Sequence, residues 1–182
     1  MKIITICAII DEAVRIEIPG AEIHPVLGGV GKTLSAFHLT KAICDIHPDM
    51  VINYGTAGTT KHHVGDIIVC NRFVDRDLAK LSFNGIESEQ HFSPIEGLPV
   101  FDKVKEYGTC NTGDGFITEL SDFDGDVIDM EAYAEASVCH RMGIPFVSVK
   151  YITDIIGQNS VEAWEDKLKD AQTALTDFFR NK

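Results

Sequence analysis

The side chains of this 182-residue chain that could do chemistry fall in four places. Asp11-Glu12, Gly55-Thr56-Ala57-Gly58 and Thr153-Asp154 each follow an apolar run, and Met130-Glu131 stands at the start of a helix-like stretch. A carboxyl group can give up a proton or hold an attacking water, and a pair can divide these tasks if their surroundings set different protonation tendencies. Asp11, Glu12 and Asp154 are carboxyls in such places, Asp11 and Glu12 being neighbours that compete for one role, and the Thr153 hydroxyl could hold the Asp154 carboxyl in place. Each residue also has a plainer use. Asp154 suits a turn or helix cap, Glu12 a solvated loop, Glu131 a contact with a helix dipole, and the Gly55–Gly58 stretch a turn at a strand end.

A second pattern is discounted. Gly28-Gly29-Val30-Gly31-Lys32-Thr33 looks like a phosphate-binding loop. The full pattern, GxxxxGK[ST], needs glycine where this chain has Val26. The variant of some partitioning ATPases needs lysine where Leu27 stands, and the next strand runs into Gly55 and not into a magnesium-holding aspartate. Tight packing between a strand and a helix explains the glycines as well. The histidines, including His62-His63, are not clustered at ligand spacing, and no CxxC pair exists among the five cysteines. No metal and no cofactor are expected.

The elements that must position these residues follow from periodicity. Lys2–Ile10 reads as a strand buried on both faces. Val14, Ile16 and Ile18 alternate with polar residues and suggest a second, half-exposed strand. A helix with Ala36, Leu39, Ile43 and Ile46 on one face follows the glycine cluster and stops at His47-Pro48-Asp49. Met50–Tyr54 and Gly65–Cys70 read as strands, and a strand resumes around Glu106–Asn111. Asp129–Met142 reads as a helix and Phe146–Ile152 as a buried strand. A closing amphipathic helix carries Val161, Trp164, Leu168, Ala171, Leu175 and Phe178, with Asn159 and Glu162 as a possible capping box. Alternating strands and helices without a break in composition imply a single α/β domain over residues 1–182 with a largely parallel sheet. In such sheets ligands sit beyond the carboxyl ends of the strands, which brings Asp11-Glu12, Gly55–Gly58 and Thr153-Asp154 near one another.

Composition narrows the function. A formal charge of −12 argues against nucleic acid as a partner, because that binding needs Lys and Arg on phosphates. No apolar run reaches the ~20 residues of a membrane span, and the N-terminal run lacks the marks of a signal peptide. Five widely spaced cysteines, odd in number, suit free thiols in a reducing cytoplasm.

Six segments in order, Gly29-Val30-Gly31-Lys32, DMVINYGTAG (49–58), VGDIIV (64–69), GDGFI (113–117), DMEAYAEASVC (129–139) and PFVSVKYITD (145–154), resemble the purine nucleoside phosphorylase superfamily. Within it the chain is most similar to the 5′-methylthioadenosine/S-adenosylhomocysteine nucleosidase branch. The resemblance runs from Lys2 to about Gly157. It implies a three-layer α/β/α fold with a central mixed, mostly parallel, partly barrel-like sheet. It also implies a small-molecule purine nucleoside as partner and hydrolysis of its N-glycosidic bond in a homodimer.

By the same resemblance Asp154 is the acid that protonates the leaving base, and Glu12 the carboxylate that activates water. Glu131 is the ribose clamp with Met130 packed on the sugar, and Phe116 stacks on the base while Ile117 offers it main-chain groups. Gly55–Gly58, with Thr56, Ala57 and Gly58, lies near the attacking water, and Thr153 supports Asp154. Phosphorylases of the superfamily hold phosphate with several arginines. Here arginines are few, and only Arg15 is close in sequence to Glu12, so water is the preferred nucleophile. The chain departs from the pattern at Thr59, where a glycine is usual, and at Lys150, where the nucleosidases tend to have arginine. It is also shortened after Arg15 and between Arg72 and Glu106. The 5′-substituent therefore stays open, futalosine-like nucleosides included, as do a phosphorylase and a non-catalytic nucleoside-binding protein.

Overall fold

The computed structural model describes residues 1–81, 83–115, 117, 125–158 and 160–180, without the side chains of 160–163 and 165. Its strands are β1 (Lys2–Cys7), β2 (Glu22–Leu27), β3 (Met50–Thr59), β4 (Ile67–Asp75), β5 (Glu89–His91), β6 (Gly108–Thr112), β7 (Val127–Asp129) and β8 (Phe146–Ile155). Its helices are α1 (Lys32–Ile46), α2 (Ala132–Met142) and α3 (Ser160–Arg180).

The apolar runs form strands buried on both faces, and the period of two sorts their side chains between two cores. Ile3, Ile52, Val147 and Val149 point to one side, where Ala171, Leu175 and Phe179 of α3 cover them. Ile4, Ile6, Val51 and Ile152 point to the other, under Leu39 and Ile43 of α1 and Ala136 and Cys139 of α2. This is the expected three-layer arrangement. The order is β2-β1-β3-β7-β6-β4-β5, and β8 pairs with both β3 and β4, so β3, β7, β6, β4 and β8 close into a barrel-like ring. Pairings β1–β2, β1–β3, β3–β8, β4–β6 and β6–β7 are parallel, while β3–β7, β4–β5 and β4–β8 are antiparallel.

Helix boundaries follow local chemistry. Gly31 precedes α1 with φ +89°, a conformation that costs a side-chain-bearing residue energy. His47 ends α1 in the left-handed region, its N–H donated to Ile43 O at 2.9 Å, and Pro48 cannot continue the helix.

Several boundaries differ from the sequence reading. Residues 14–18 are not a strand. Ile16 and Ile18 alternate into the core as their spacing requires, but the segment takes no place in the sheet, and the β1 partner is Glu22–Leu27. Strands β3, β4 and β8 extend beyond the predicted ends. Asp129 closes β7, leaving α2 to begin at Ala132. Asn159 lies outside the described residues, and the Glu162 side chain likewise, so the capping box does too.

One polar pair is embedded in this core. Lys150 on β8 meets Asp129 at the end of β7 at 2.9 Å, with side chains 3% and 1% exposed. Removing one partner leaves the other charge buried without its counter-ion. Lys150→Met is therefore expected to lower the unfolding free energy by about 3–5 kcal/mol, read as an earlier urea midpoint.

Candidate active site

The carboxyl ends of β1, β3 and β8 open into one cavity of about 230 Å³. Glu12, Thr56, Ala57, Gly58, Ile117, Met130, Glu131, Thr153 and Asp154 all line it, and Phe116 lies outside the described residues. Asp11 is exposed and lines no part of it, which separates the two neighbouring acids.

Glu12 ends a short 3-10 turn, Ile10–Glu12, that carries the chain off the tip of β1. Its side chain turns inward, and Oε1 accepts the Thr56 N–H at 2.9 Å and the Thr56 hydroxyl at 2.5 Å. The carboxylate lies against Gly55, where a Cβ would stand 3.1 Å from Oε2. Asp154 sits against Gly58 in the same manner, 3.1 Å from where a Cβ would be. It gets there through a register slip, in which Ala57 pairs with Ile152 and Gly58 with Asp154, leaving Thr153 unmatched. The Thr153 hydroxyl donates to Asp154 Oδ1 at 2.8 Å. Asp154 Oδ2 is buried with no partner among the described residues. A buried carboxyl oxygen is costly to leave unsatisfied, so this is the atom available to a ligand.

Glu131 precedes the first turn of α2, and its Oε1 accepts the Gly31 N–H at 2.8 Å. Burial, with the nearby Asp129 charge, pushes its pKa up to about 7 against the opposing pull of Lys150 and Gly31. Asp129 moves the other way. Burial favours its neutral form, but Lys150 and the Thr112 hydroxyl hold its pKa below the usual carboxylate range. The phosphate-loop lookalike is explained here as well. Its Gly31 N–H serves Glu131, its Lys32 N–H serves Asp114 at 2.8 Å, and Lys32 Nζ lies 3.0 Å from Asp75 and 3.3 Å from Asp77. These donors are spent on the protein's own carboxylates, and the Gly28 and Gly29 N–H groups on the Cys7 and Ala8 carbonyls.

Among the lining residues that the sequence reading did not place at the site are Arg76 and Trp164. Arg76 follows β4 and directs its terminal nitrogens at four main-chain carbonyls, those of Asn111, Asp129, Gly113 and Gly115, at 2.7–3.2 Å. It thus ties down the loop that leads to Ile117. The strand-end rule would have flagged it had β4 been followed to Asp75 rather than ended at Cys70. Trp164 was assigned to the core stripe of α3, but it lines the cavity and donates its indole N–H to Thr56 Oγ1 at 2.9 Å. Arg15, the cation nearest Glu12 in sequence, is 83% exposed, pairs with Glu17 and stays out of the cavity.

The ring-closed mixed sheet and the acid-walled cleft at its strand ends define a nucleoside phosphorylase-like α/β domain. The chain belongs to the phosphorylase superfamily, whose family model matches residues 8–181. Among curated relatives, the 5′-methylthioadenosine/S-adenosylhomocysteine nucleosidases of Bacillus velezensis and Bacillus subtilis are each 28% identical, over 89% and 88% of this chain and 80% of theirs. The first alignment spans 191 positions against a chain of 182, so this chain carries deletions relative to that protein. In structure, the Helicobacter pylori nucleosidase with butyl-thio-DADMe-Immucillin-A matches at TM-score 0.83 and 18% identity, over 98% of this chain and 96% of that one. Futalosine hydrolase of the same species matches at TM-score 0.82 and 18% identity, over 98% and 95%. At these identities the structural likeness speaks for the fold.

The buried acids make stability depend on pH. Glu135, one turn beyond Glu131, is buried beneath α1 with the Ser35 hydroxyl donated to Oε1, and burial raises its pKa to about 8. Glu131 and Glu135 both bind protons more tightly folded than unfolded. Their contribution to stability is complete below the ordinary value of 4.5 and is lost as pH rises through about 7 and about 8. Urea midpoints are expected to fall between about pH 5 and about pH 8, and Glu135→Gln is expected to flatten that fall. An unchanged slope would contradict the assignment of Glu135.

Proposed function

We propose that the protein hydrolyses the N-glycosidic bond of a purine nucleoside of the 5′-methylthioadenosine/S-adenosylhomocysteine type, releasing adenine and the sugar. The observation that carries this reading is that Glu12 and Asp154 line one cavity from two glycine positions of the same strand. Asp154 donates a proton to N7 of the departing base, and the glycosidic electron pair leaves with the base. The sugar, now cationic at C1′, is met by a water whose proton passes to Glu12. Glu131 accepts hydrogen bonds from the sugar hydroxyls with Met130 packed on the sugar, Thr153 holds Asp154, and Phe116 and Ile117 receive the base.

Water is favoured over phosphate by the charges in the cavity. Among the described residues its ionisable lining is Glu12, Asp129, Glu131, Asp154 and Arg76, and Arg76 is committed to carbonyls. A doubly charged anion would need cationic donors to replace its hydration, whereas a cationic sugar suits an acidic wall.

The working unit of this reading is a homodimer. Leu34 and Phe37, 51% and 62% exposed, lie on the outer face of α1 beside Val30, itself exposed and at the cavity wall. Apolar surface next to a site is what a second copy would cover. Free thiols at Cys7, Cys70, Cys110 and Cys139, all buried, support a cytoplasmic location. Among the described residues no helix is long and apolar enough to cross a membrane.

Chromatography of free base decides between the reactions. Adenine is expected from methylthioadenosine without phosphate, whereas release only with phosphate, together with a sugar 1-phosphate, would identify a phosphorylase. Futalosine in the same assay reports on the 5′-substituent, and thermal stabilisation by nucleoside without any product would mean a binding protein. Asp154→Asn is expected to cut turnover by about 10²–10⁴-fold while thermal stabilisation by the nucleoside persists. Full activity in that variant would refute the acid role. In sedimentation, Phe37→Glu is expected to shift a dimer towards monomer.

A further inference from the structure

The hydroxyl of Thr56 has a single hydrogen, and an indole N–H can only donate. Trp164 Nε1 lies 2.9 Å from Thr56 Oγ1, so that oxygen accepts from the indole and its own hydrogen is directed to Glu12 Oε1 at 2.5 Å. With the Thr56 N–H at 2.9 Å, Oε1 holds two donors. Oε2 is thereby the oxygen left to face a reactant. A second contact from the same helix reaches the same acid. Gln172 Nε2 donates to Asp11 O at 2.8 Å, gripping the turn that carries Glu12. Ala171, Leu175 and Phe179 anchor α3 to the core around β3 and β8, so both contacts come from a fixed element.

We infer that Trp164 is a positioning residue for the reaction, acting through the Thr56 hydroxyl to fix the Glu12 carboxylate that holds the attacking water. This inference rests on the hydrolase reading given above for the role of Glu12, but the relay itself does not. Without the indole N–H the Thr56 rotor is free to turn its hydrogen elsewhere, and one of the two donors on Oε1 is no longer assured. The loss falls on the step in which water is deprotonated and leaves the apolar wall intact, provided an aromatic ring remains.

Trp164 is the protein's single tryptophan, so one indole N–H resonance reports the relay directly in the full-length protein. Thr56→Val is expected to shift that resonance and speed its exchange with solvent, and Thr56→Ser, which restores a hydroxyl, to return it to the wild-type position. In turnover, Trp164→Phe is expected to lower kcat by about tenfold, less than the loss of a donor aimed directly at reacting atoms, with KM within about threefold. Trp164→Phe combined with Thr56→Val is expected to be no slower than Thr56→Val alone, because both remove one interaction. A wall residue without the relay would instead raise KM and give additive losses, and either result overturns the proposal. An indole resonance indifferent to Thr56→Val overturns it independently of any activity. If wild-type protein releases no base while the resonance behaves as expected, the hydrolase reading falls and the Trp164–Thr56–Glu12 relay stands.

Discussion

Both carboxylates are seated against one strand at the two places where it has no Cβ. Gly55 leaves room for Glu12 and Gly58 for Asp154, and at Gly58 a methyl group would also strike Ile156 Cδ1 at 2.7 Å. A strand advances about 3.3 Å per residue, so these seats are roughly 10 Å apart along β3. That span leaves room between the two groups for a sugar–base linkage approached from either side. β3 pairs with β1, β7 and β8 and is buried along nearly its whole length. The separation of the acids is therefore a property of a buried backbone, not of mobile loops, and the slip at Ala57/Gly58 sets which residue of β8 reaches the second seat.

The charges around that strand are arranged in layers. Lys150 and Asp129 neutralise each other at the cavity floor, and Arg76 is absorbed by main-chain carbonyls of the loop beside it. What remains to face a ligand is carboxylate in excess. Burial disfavours an ionised carboxyl and neighbouring carboxylates add to that, and both raise the pKa of Glu131, to about 7. A positively charged sugar would relieve that repulsion, and the relief grows as charge develops along the reaction. Electrostatics of this kind favour the transition state over the ground state.

Legibility in the sequence followed locality. Strands β1, β3 and β8 are continuous apolar runs, and their ends located the acids because a ligand in such a sheet can only sit there. The side-chain spacing of Ile16 and Ile18 disclosed their burial, but an alternating segment packs into a core without joining a sheet, so residues 14–18 read as a strand that does not exist. Gly55–Gly58 was expected near the attacking water, with a plain turn as the alternative, but not as two seats for carboxylates, since nothing local says which side chain will approach a glycine from another segment. Arg76 and Trp164 were missed for related reasons. A buried arginine among four carbonyls depends on three separate segments meeting, and a tryptophan on an apolar stripe does not announce which way its N–H points.

The glycine loop before α1 shows how one physical device can serve opposite ends. Exposed N–H groups at a helix start attract anions, and in this protein the anion is Glu131, held through Gly31. One of its oxygens is thus occupied from the helix side, and in the proposed function the other receives hydroxyl donors of a sugar. Because the carboxyl's pKa stands near 7, it is divided between its two protonation states at neutral pH. The ionised form is the stronger acceptor through both oxygens. In the proposed function, sugar hydroxyls donating to it would draw the group towards ionisation and so couple sugar binding to loss of a proton. The motif that imitates a nucleotide-phosphate loop thus supplies a donor to a buried acid of the protein itself.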